Sequence, residues 1–455
     1  MKERSLAEVA RWMGANIVRG EQTSPIGGAV IDSRKATAGA LFFALEGENC
    51  HGIDHAQDAL EKGAAAVVSE PGYAARHKGP ALEVEDVAGA LQSLASEIRR
   101  EEEPVLPAIA ITGSVGKTTT CAILRSLLGA NLQVQSPQDS YNNHLGVPIT
   151  ILDAPPETEI LILELGTTAP GEIAALAQIA RASYGVITSV APTHWQGLGS
   201  IEGVHREKFS LFDHIDGDGL WAPVECREGT LQALDTYRWT GPDGDLEIRR
   251  RGSQSVEVLD RCRTREFFLP WSHPSDWVLR CLESAVAMAL EIVDDPEQLI
   301  EGATRIQLPR WRHEVRTVNG IEMILDCYNS SPCALAAAIE DLVQSQGCRK
   351  LAVIGTMEEL GEDEQRYHVE AGRHCIEAGV DVVFVCGRAA DWVDQGVRSG
   401  GGESIFIEDG EAGAEVVKEE LRSGDRILFK ASRLQRFEQL AQLVEQQFEE
   451  QGEKA

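Results

Sequence analysis

The sequence predicts an α/β protein of three domains: a small N-terminal α/β domain, a central P-loop ATPase-like domain with a parallel sheet, and a C-terminal Rossmann-like domain. Three observations lead there. The chain has 455 residues, too many for one hydrophobic core, and 43% of them are hydrophobic, enough to fill several. An apolar run of strand length, Ala108–Ile111, enters a Gly-rich turn and then a helical pattern. Beyond about residue 309, strand-like and helix-like segments alternate strictly, as in a parallel sheet with crossover helices.

The first domain is expected over residues 1–102. Ser5 can cap a short helix that runs to Met13. Strand-like runs at Ala29–Ile31, Leu41–Leu45 and Ala65–Val68 alternate with a helical stretch near Asp54–Lys62. Two polar turns stand out, Asp32–Lys35 and Glu46–Asn49. Alone, the turn holding Ser33 and Arg34 reads as a solvated loop, yet it ends a strand, where α/β sheets bind ligands. The acidic, Pro-terminated stretch Glu101–Pro104 is a linker.

The central domain is expected over 103–308 and is organised around its P-loop. The turn spells G-x-x-G-K-T over Gly113, Ser114, Val115, Gly116, Lys117 and Thr118, followed by Thr119. Glycines let backbone N–H groups approach phosphate oxygens, and the helix that follows adds its positive dipole end. Lys117 can reach the β- and γ-phosphates, and the Thr118 hydroxyl can sit on Mg²⁺. The helix itself buries Ile123, Leu124, Leu127 and Leu128 on one face. A polar loop with Asn142 and Asn143 comes next, then Ile160–Leu163, apolar throughout and so buried on both faces. Glu164 ends that strand beside the P-loop and is placed to hold Mg²⁺. Tyr184–Val190 reads as another buried strand, leading to His194; Ser200–Ile215 has helical spacing and carries Lys208. A lone His or Lys is usually structural or solvated, so their value depends on meeting Glu164 and the P-loop in one crevice. Residues 219–272 give a weak pattern of short strand-like pieces. Trp277–Ile292 is a helix with Leu279, Leu282, Ala285, Val286 and Ala289 inward.

Leu308–Glu314 reads as a hinge into the third domain, 309–455. Its strands are expected at Met323–Leu325, Leu351–Ile354, Asp381–Val385 and Arg426–Phe429. Helices are expected at Ala334–Val343, Gln365–Ala378, Ala412–Leu421 and Leu434–Glu450. No G-x-G-x-x-G follows its first strand, which argues against a dinucleotide. The net charge of −30 excludes a general nucleic-acid or anionic-membrane binder. Ten cysteines without a C-x-x-C pair disfavour zinc and redox dithiol sites, and they fit a reducing compartment. With no apolar run near 18 residues and a polar start, no membrane span or signal peptide is expected, and the location is cytoplasmic.

These stretches together resemble the Mur ligases. The resemblance runs through Asp32–Arg34, Leu41–Glu48, Ile111–Thr118, Asn142–Pro148, Glu164–Gly166, Gly171–Ile173, His194, Gly197–Val204, Lys208, Asp326–Asn329, Glu359–Gly361 and Lys430–Arg433. The loop at Asn142–Pro148, with Asp326–Asn329 and Lys430–Arg433, favours the branch that adds D-Ala-D-Ala. The resemblance implies ATP and Mg²⁺ as cofactors, with UDP-N-acetylmuramoyl-tripeptide and D-Ala-D-Ala as substrates joined through an acyl phosphate. It implies Thr118 and Glu164 on one Mg²⁺, His194 on a second, and Lys208 as a carbamylated lysine supporting the metals. Arg312 would reach the nucleotide phosphates and Asn329 would line the nucleotide cleft. Asn142, Asn143, Lys430, Ser432 and Arg433 would face substrate, and Ser33 and Arg34 the UDP portion. A monomer is expected. The chain departs from the family pattern at Trp277, Val278 and Cys281, at Trp221–Val224, and at Glu46, Thr356 and Ala431. Most of these surround the nucleotide base. Two alternatives stay open: another Mur-type amino-acid ligase, and a non-catalytic nucleotide-binding paralogue.

Overall fold

A computed structural model describes the chain except residues 48–49, 104, 139, 193–194, 230–236, 345–347 and 453–455. Three main sheets succeed one another along the sequence. The first has five strands in the order Asn16–Arg19, Ala81–Glu83, Ala66–Ser69, Ala40–Phe43, Gly28–Val30. Only its outer pair, Asn16–Arg19 with Ala81–Glu83, is antiparallel. Ser5 caps the helix Leu6–Met13 in a reciprocal box with Glu8, and Gly14 closes it in the left-handed region at φ 64°.

The middle sheet has nine strands. Ala108–Thr112 lies between Ile160–Glu164 and Tyr184–Ile187, all parallel, and this trio forms the floor of the site. Outward from Tyr184–Ile187 come Leu220–Pro223, Arg238–Thr240, Leu246–Arg250, Ser255–Asp260 and Arg265–Pro270; the last two run antiparallel. Those five strands are the weak region of the sequence. Their alternation is masked because buried carboxylates replace apolar residues: Glu247, Glu257 and Asp260 each take up arginines from neighbouring strands and turns. The expected strand to Val190 stops at Ile187. Residues beyond it turn to hold the P-loop, since the Ser114 N–H donates to the Ser189 carbonyl and the Thr188 hydroxyl to the Val115 carbonyl. The helix carrying Lys208 covers Ile201–Phe209, with a separate short turn at Phe212–His214. On the helix Asp276–Ile292, Leu282, Ala285, Val286 and Ala289 are buried, but Leu279 is only half-buried.

The third sheet has the order Glu314–Val318, Ile321–Leu325, Arg426–Lys430, Lys350–Ile354, Val382–Val385, Ser404–Phe406. It is parallel apart from the edge pair formed by the first two. The edge strands Glu314–Val318 and Ser404–Phe406, and the helix Ala390–Ser399, add to the elements expected from sequence. Both edge strands are mostly half-buried, Glu314–Val318 mixing charged and apolar residues and Ser404–Phe406 being only three residues long, so neither shows the apolar run that marks the central ones.

The helix Val87–Glu102 joins the first two sheets into one continuous core that includes Leu91, Leu94, Val147, Leu165 and Ile173. Near its end Arg99 is wholly buried and donates to the carbonyls of Leu106, Ala180 and Arg181. Every donor it aims inward is met, which is what makes a buried guanidinium tolerable.

Glu283, on the helix over the P-loop, is buried and accepts from the Ile248 N–H at 2.8 Å. Burial pushes its carboxyl up to about 8 from an ordinary 4.5. The unfolded chain gives up that proton first, so the contribution is present below 4.5 and is lost as pH rises through 8. Glu283→Gln should flatten the pH dependence of the urea midpoint over that interval and raise the midpoint at its alkaline end.

Candidate active site

The P-loop leaves the middle strand of the trio and enters the helix Lys117–Gly129. Gly113 and Gly116 have φ 149° and 94°, and a Cβ on Gly113 would stand 2.1 Å from the Thr188 hydroxyl. No other residue fits that turn. Gly116 caps the helix without a side-chain acceptor, so the first N–H groups stay available to an anion. Lys117 folds back on the loop and donates to the Gly113 carbonyl at 2.6 Å. Burial lowers its pKa, against the pull of the Glu164 charge.

Glu164 is 1% exposed and ends the adjacent strand in register with Ile111. Its Oε1 accepts from the Asn142 amide at 2.8 Å, while Oε2 has no partner among the described residues. Asn143 accepts from the N–H groups of Leu145 and Gly146, fixing the turn. Lys208 is completely buried, and its Nζ likewise has no hydrogen-bond partner among the described residues. Burial drives its pKa far down, and the Lys117 charge adds to this. The carboxylates nearby cannot serve it because they hold a loop: Glu207 accepts from Gly171 and Ile173, and Glu172 from Thr168 and Ala169. His194 lies outside the described residues.

The third unit supplies the opposite wall. Arg312 stacks 4.1 Å over the Tyr328 ring and donates to the Ser140 hydroxyl, which also meets the Tyr328 hydroxyl at 2.9 Å. Lys430 is 2% exposed, paired with Asp326 at 2.8 Å and donating to the Asn329 carbonyl at 2.6 Å. Trp311 and His313, flanking Arg312, hold positive φ of 63° and 55°, so the hinge keeps two strained non-glycine residues.

A cavity of about 550 Å³ brings these pieces together. Ser114–Thr119, Asn142, Asn143, Glu164, Arg312, Asn329 and Lys430 all line it, with Gln92 reaching in from the first unit. Gly113 and Lys208 are not among the lining residues. Ser33, Arg34, Ser432 and Arg433 are not part of it. Arg34 is exposed and spends its guanidinium on Asp32, and Ser33 is buried under its own turn. Ser432 is buried, and Arg433 pairs with Glu438 and lies 5.6 Å over the ring of the lining residue Tyr328. Ser140, Tyr328, Thr167 and Glu172 line the cavity without having been assigned roles from sequence. Tyr328, an aromatic in a polar loop at a strand end, carried a usable signal; Glu172 carried only its place in the Gly171–Ile173 stretch, because the N–H groups it holds meet it only in the folded loop.

Among the described residues no cluster of three or more His, Cys, Asp or Glu could cage a metal. The unpartnered Glu164 oxygen beside the P-loop instead suits Mg²⁺, which takes one or two carboxylates, waters and substrate phosphates. Among the described residues no helix is long and apolar enough to cross a membrane.

Three family models match in order: the Mur ligase family catalytic domain at 25–100, the Mur ligase middle domain at 111–223, and the Mur ligase glutamate ligase domain at 311–433. The UDP-N-acetylmuramoyl-tripeptide–D-alanyl-D-alanine ligase of Bacillus subtilis is 31% identical, covering 94% of this chain and 96% of its own. The chain belongs to the Mur ligase family. The ligase of the same name from Mycobacterium tuberculosis is 32% identical to this Mur ligase, over 88% of each chain. Among solved structures, MurF from Acinetobacter baumannii superposes with a TM-score of 0.85 at 25% identity, over 98% of this chain and 99% of its own. MurF from Thermotoga maritima in complex with ADP gives 0.78 at 26% identity, over 93% and 98%. The three-domain α/β architecture expected from sequence is therefore that of this ligase.

Proposed function

We propose that this chain joins D-Ala-D-Ala to UDP-N-acetylmuramoyl-tripeptide with ATP, releasing ADP and phosphate, in peptidoglycan precursor synthesis. The single observation that carries the reading is the cavity in which the P-loop, Glu164, Arg312 and Lys430 face one another. The names of the relatives supply the substrate pair. The divisions 1–102, 103–308 and 309–455 then hold the UDP portion, the ATP and the incoming dipeptide side respectively.

Phosphoryl transfer asks mainly for positioning and charge neutralisation. Gly113–Thr119 cradle the phosphates through backbone N–H groups, and Lys117 leaves the Gly113 carbonyl to pair with the β- and γ-phosphates. The tripeptide carboxylate attacks the γ-phosphorus, ADP leaves, and an acyl phosphate forms. The dipeptide amine then attacks its carbonyl carbon, phosphate departs with the former carboxylate oxygen, and the amine proton is lost. Arg312 and Lys430 bring positive charge from the third unit, and the closed walls keep water from the acyl phosphate.

Thr118 and Glu164 would hold one Mg²⁺ and His194 a second, with Lys208 contributing once CO₂ has converted its amine to a carbamate. Bound there, Mg²⁺ would neutralise phosphate charge. The unpartnered Glu164 Oε2 and Lys208 Nζ support this assignment: a neutral buried amine adds CO₂, and the resulting anion has cations to face. Ten free cysteines, most of them buried, support a cytoplasmic setting.

Phosphate release from ATP tests the reading, measured with both substrates and with each omitted. Release should require UDP-N-acetylmuramoyl-tripeptide and D-Ala-D-Ala together. Release that persists with a single other amino acid in place of the dipeptide would point to a different Mur-type ligase, and no release at all to a non-catalytic paralogue.

A further inference from the structure

The helix Asp276–Ile292 packs on the P-loop helix, and a Cβ on Gly116 would stand 3.1 Å from its Cys281 sulfur. Its first turn is capped from two units. Ser275 accepts from the Val278 N–H at 3.1 Å, as an N-cap does. The Ser275 hydroxyl then donates to Asp341, and the other oxygen of that carboxylate accepts from the Asp276 N–H at 3.3 Å. Asp341 lies in the last turn of the helix Pro332–Val343, in the third unit. There its own helix dipole disfavours a carboxylate, whereas the helix it faces favours one. The same carboxylate stands 3.4 Å from His313 Nε2, and Ser275, His313 and Asp341 are all buried. His313 follows Arg312 in the hinge, and the start of the helix holds its backbone too. Its carbonyl accepts from His273 Nε2 at 3.2 Å, while His273 Nδ1 accepts from the Ser275 N–H at 3.3 Å. Only the neutral ring can make both bonds, and burial lowers His273 to about 4.

We propose that Asp341 is a positioning residue for phosphoryl transfer: it fastens the third unit to the start of the helix over the P-loop and, through His313, fixes Arg312 at the cavity. The inference rests on the ligase reading for the reaction it serves. Arg312 is held at its tip by the Ser140 hydroxyl and the Tyr328 ring, both neutral, so its placement depends on the backbone behind it. That backbone is in the left-handed region at Trp311 and His313, where non-glycine residues stay only if their surroundings hold them. Without the Asp341 carboxylate, the His313 ring loses its neighbour, and the Ser275 hydroxyl and Asp276 N–H lose their acceptor.

The test is the phosphate-release assay with both peptide substrates on the wild type, Asp341→Ala, Arg312→Ala and the double variant, each normalised to folded protein by circular dichroism. Asp341→Ala should lower kcat by about 10–10²-fold, the scale of a small misplacement at a reacting centre. In the Arg312→Ala background the same substitution should change kcat by less than about twofold, because the group it positions is gone. A merely structural Asp341 costs the same factor in both backgrounds. That result overturns the proposal, as does a kcat that Asp341→Ala leaves unmoved. Should the alanine variant not fold, Asp341→Asn takes its place in the cycle; it keeps the volume and one acceptor oxygen, and a smaller loss with the same masking is expected. No release from the wild type would be a failure of the ligase reading instead. The contact is then tested by hydrogen exchange: Asp341→Asn should speed amide exchange in both 275–280 and 311–316, and unchanged exchange in either segment overturns the proposal.

Discussion

Lys117→Ala lowers kcat for phosphate release by about 10²–10³-fold, the usual loss when one preorganised stabiliser of transition-state charge is removed. The chain without ligands offers the reason. Its ammonium is held against the Gly113 carbonyl, inside the Gly-rich loop. Stability should hardly register the change. The alanine variant loses one hydrogen bond, about 1 kcal/mol, and also loses the cost of a desolvated ammonium. Its thermal midpoint should therefore stay within about 4 °C of the wild type. A large fall in midpoint would show that Lys117 is a structural residue.

Lys208→Met also removes activity, by about 10²-fold or more, but unlike Lys117→Ala it raises stability. Lys208 is wholly buried with no partner for its Nζ among the described residues, and burial strongly disfavours its charged form. Methionine fills a similar volume without a polar atom to satisfy, so Lys208→Met should be more stable than the CO₂-depleted wild type by about 1–3 kcal/mol. In ¹³C-bicarbonate buffer, the wild type should show one carbamate ¹³C resonance that Lys208→Met lacks. An active methionine variant would remove Lys208 from the mechanism.

Much of the site was legible because its signals are local. The strand Ala108–Thr112, the glycines and the helix at Lys117 are adjacent in sequence, and each has one physical meaning. Glu164 could be read from its place at the end of an apolar run, since a doubly buried strand must end where the sheet meets solvent or ligand. The contacts between units were not legible. Ser140, Arg312 and Tyr328 meet from distant parts of the chain, and nothing in any of the three stretches encodes the other two. The middle sheet's outer strands were obscured for a different reason, since their inward positions carry carboxylates whose arginine partners lie on a neighbouring strand or in the turns between strands. Arg34 and Arg433 were less legible still, because their guanidinium groups are held by the nearby carboxylates of Asp32 and Glu438, pairings the stretches do not announce.

The most direct measurement follows the oxygen. With ¹⁸O in both positions of the tripeptide's reacting carboxylate, each amide formed should release one phosphate carrying a single ¹⁸O, because that oxygen attacks the γ-phosphorus and leaves with it. Unlabelled phosphate at full amide yield would mean that the carboxylate never takes the phosphoryl group, and the chemistry assigned to this cavity would be wrong.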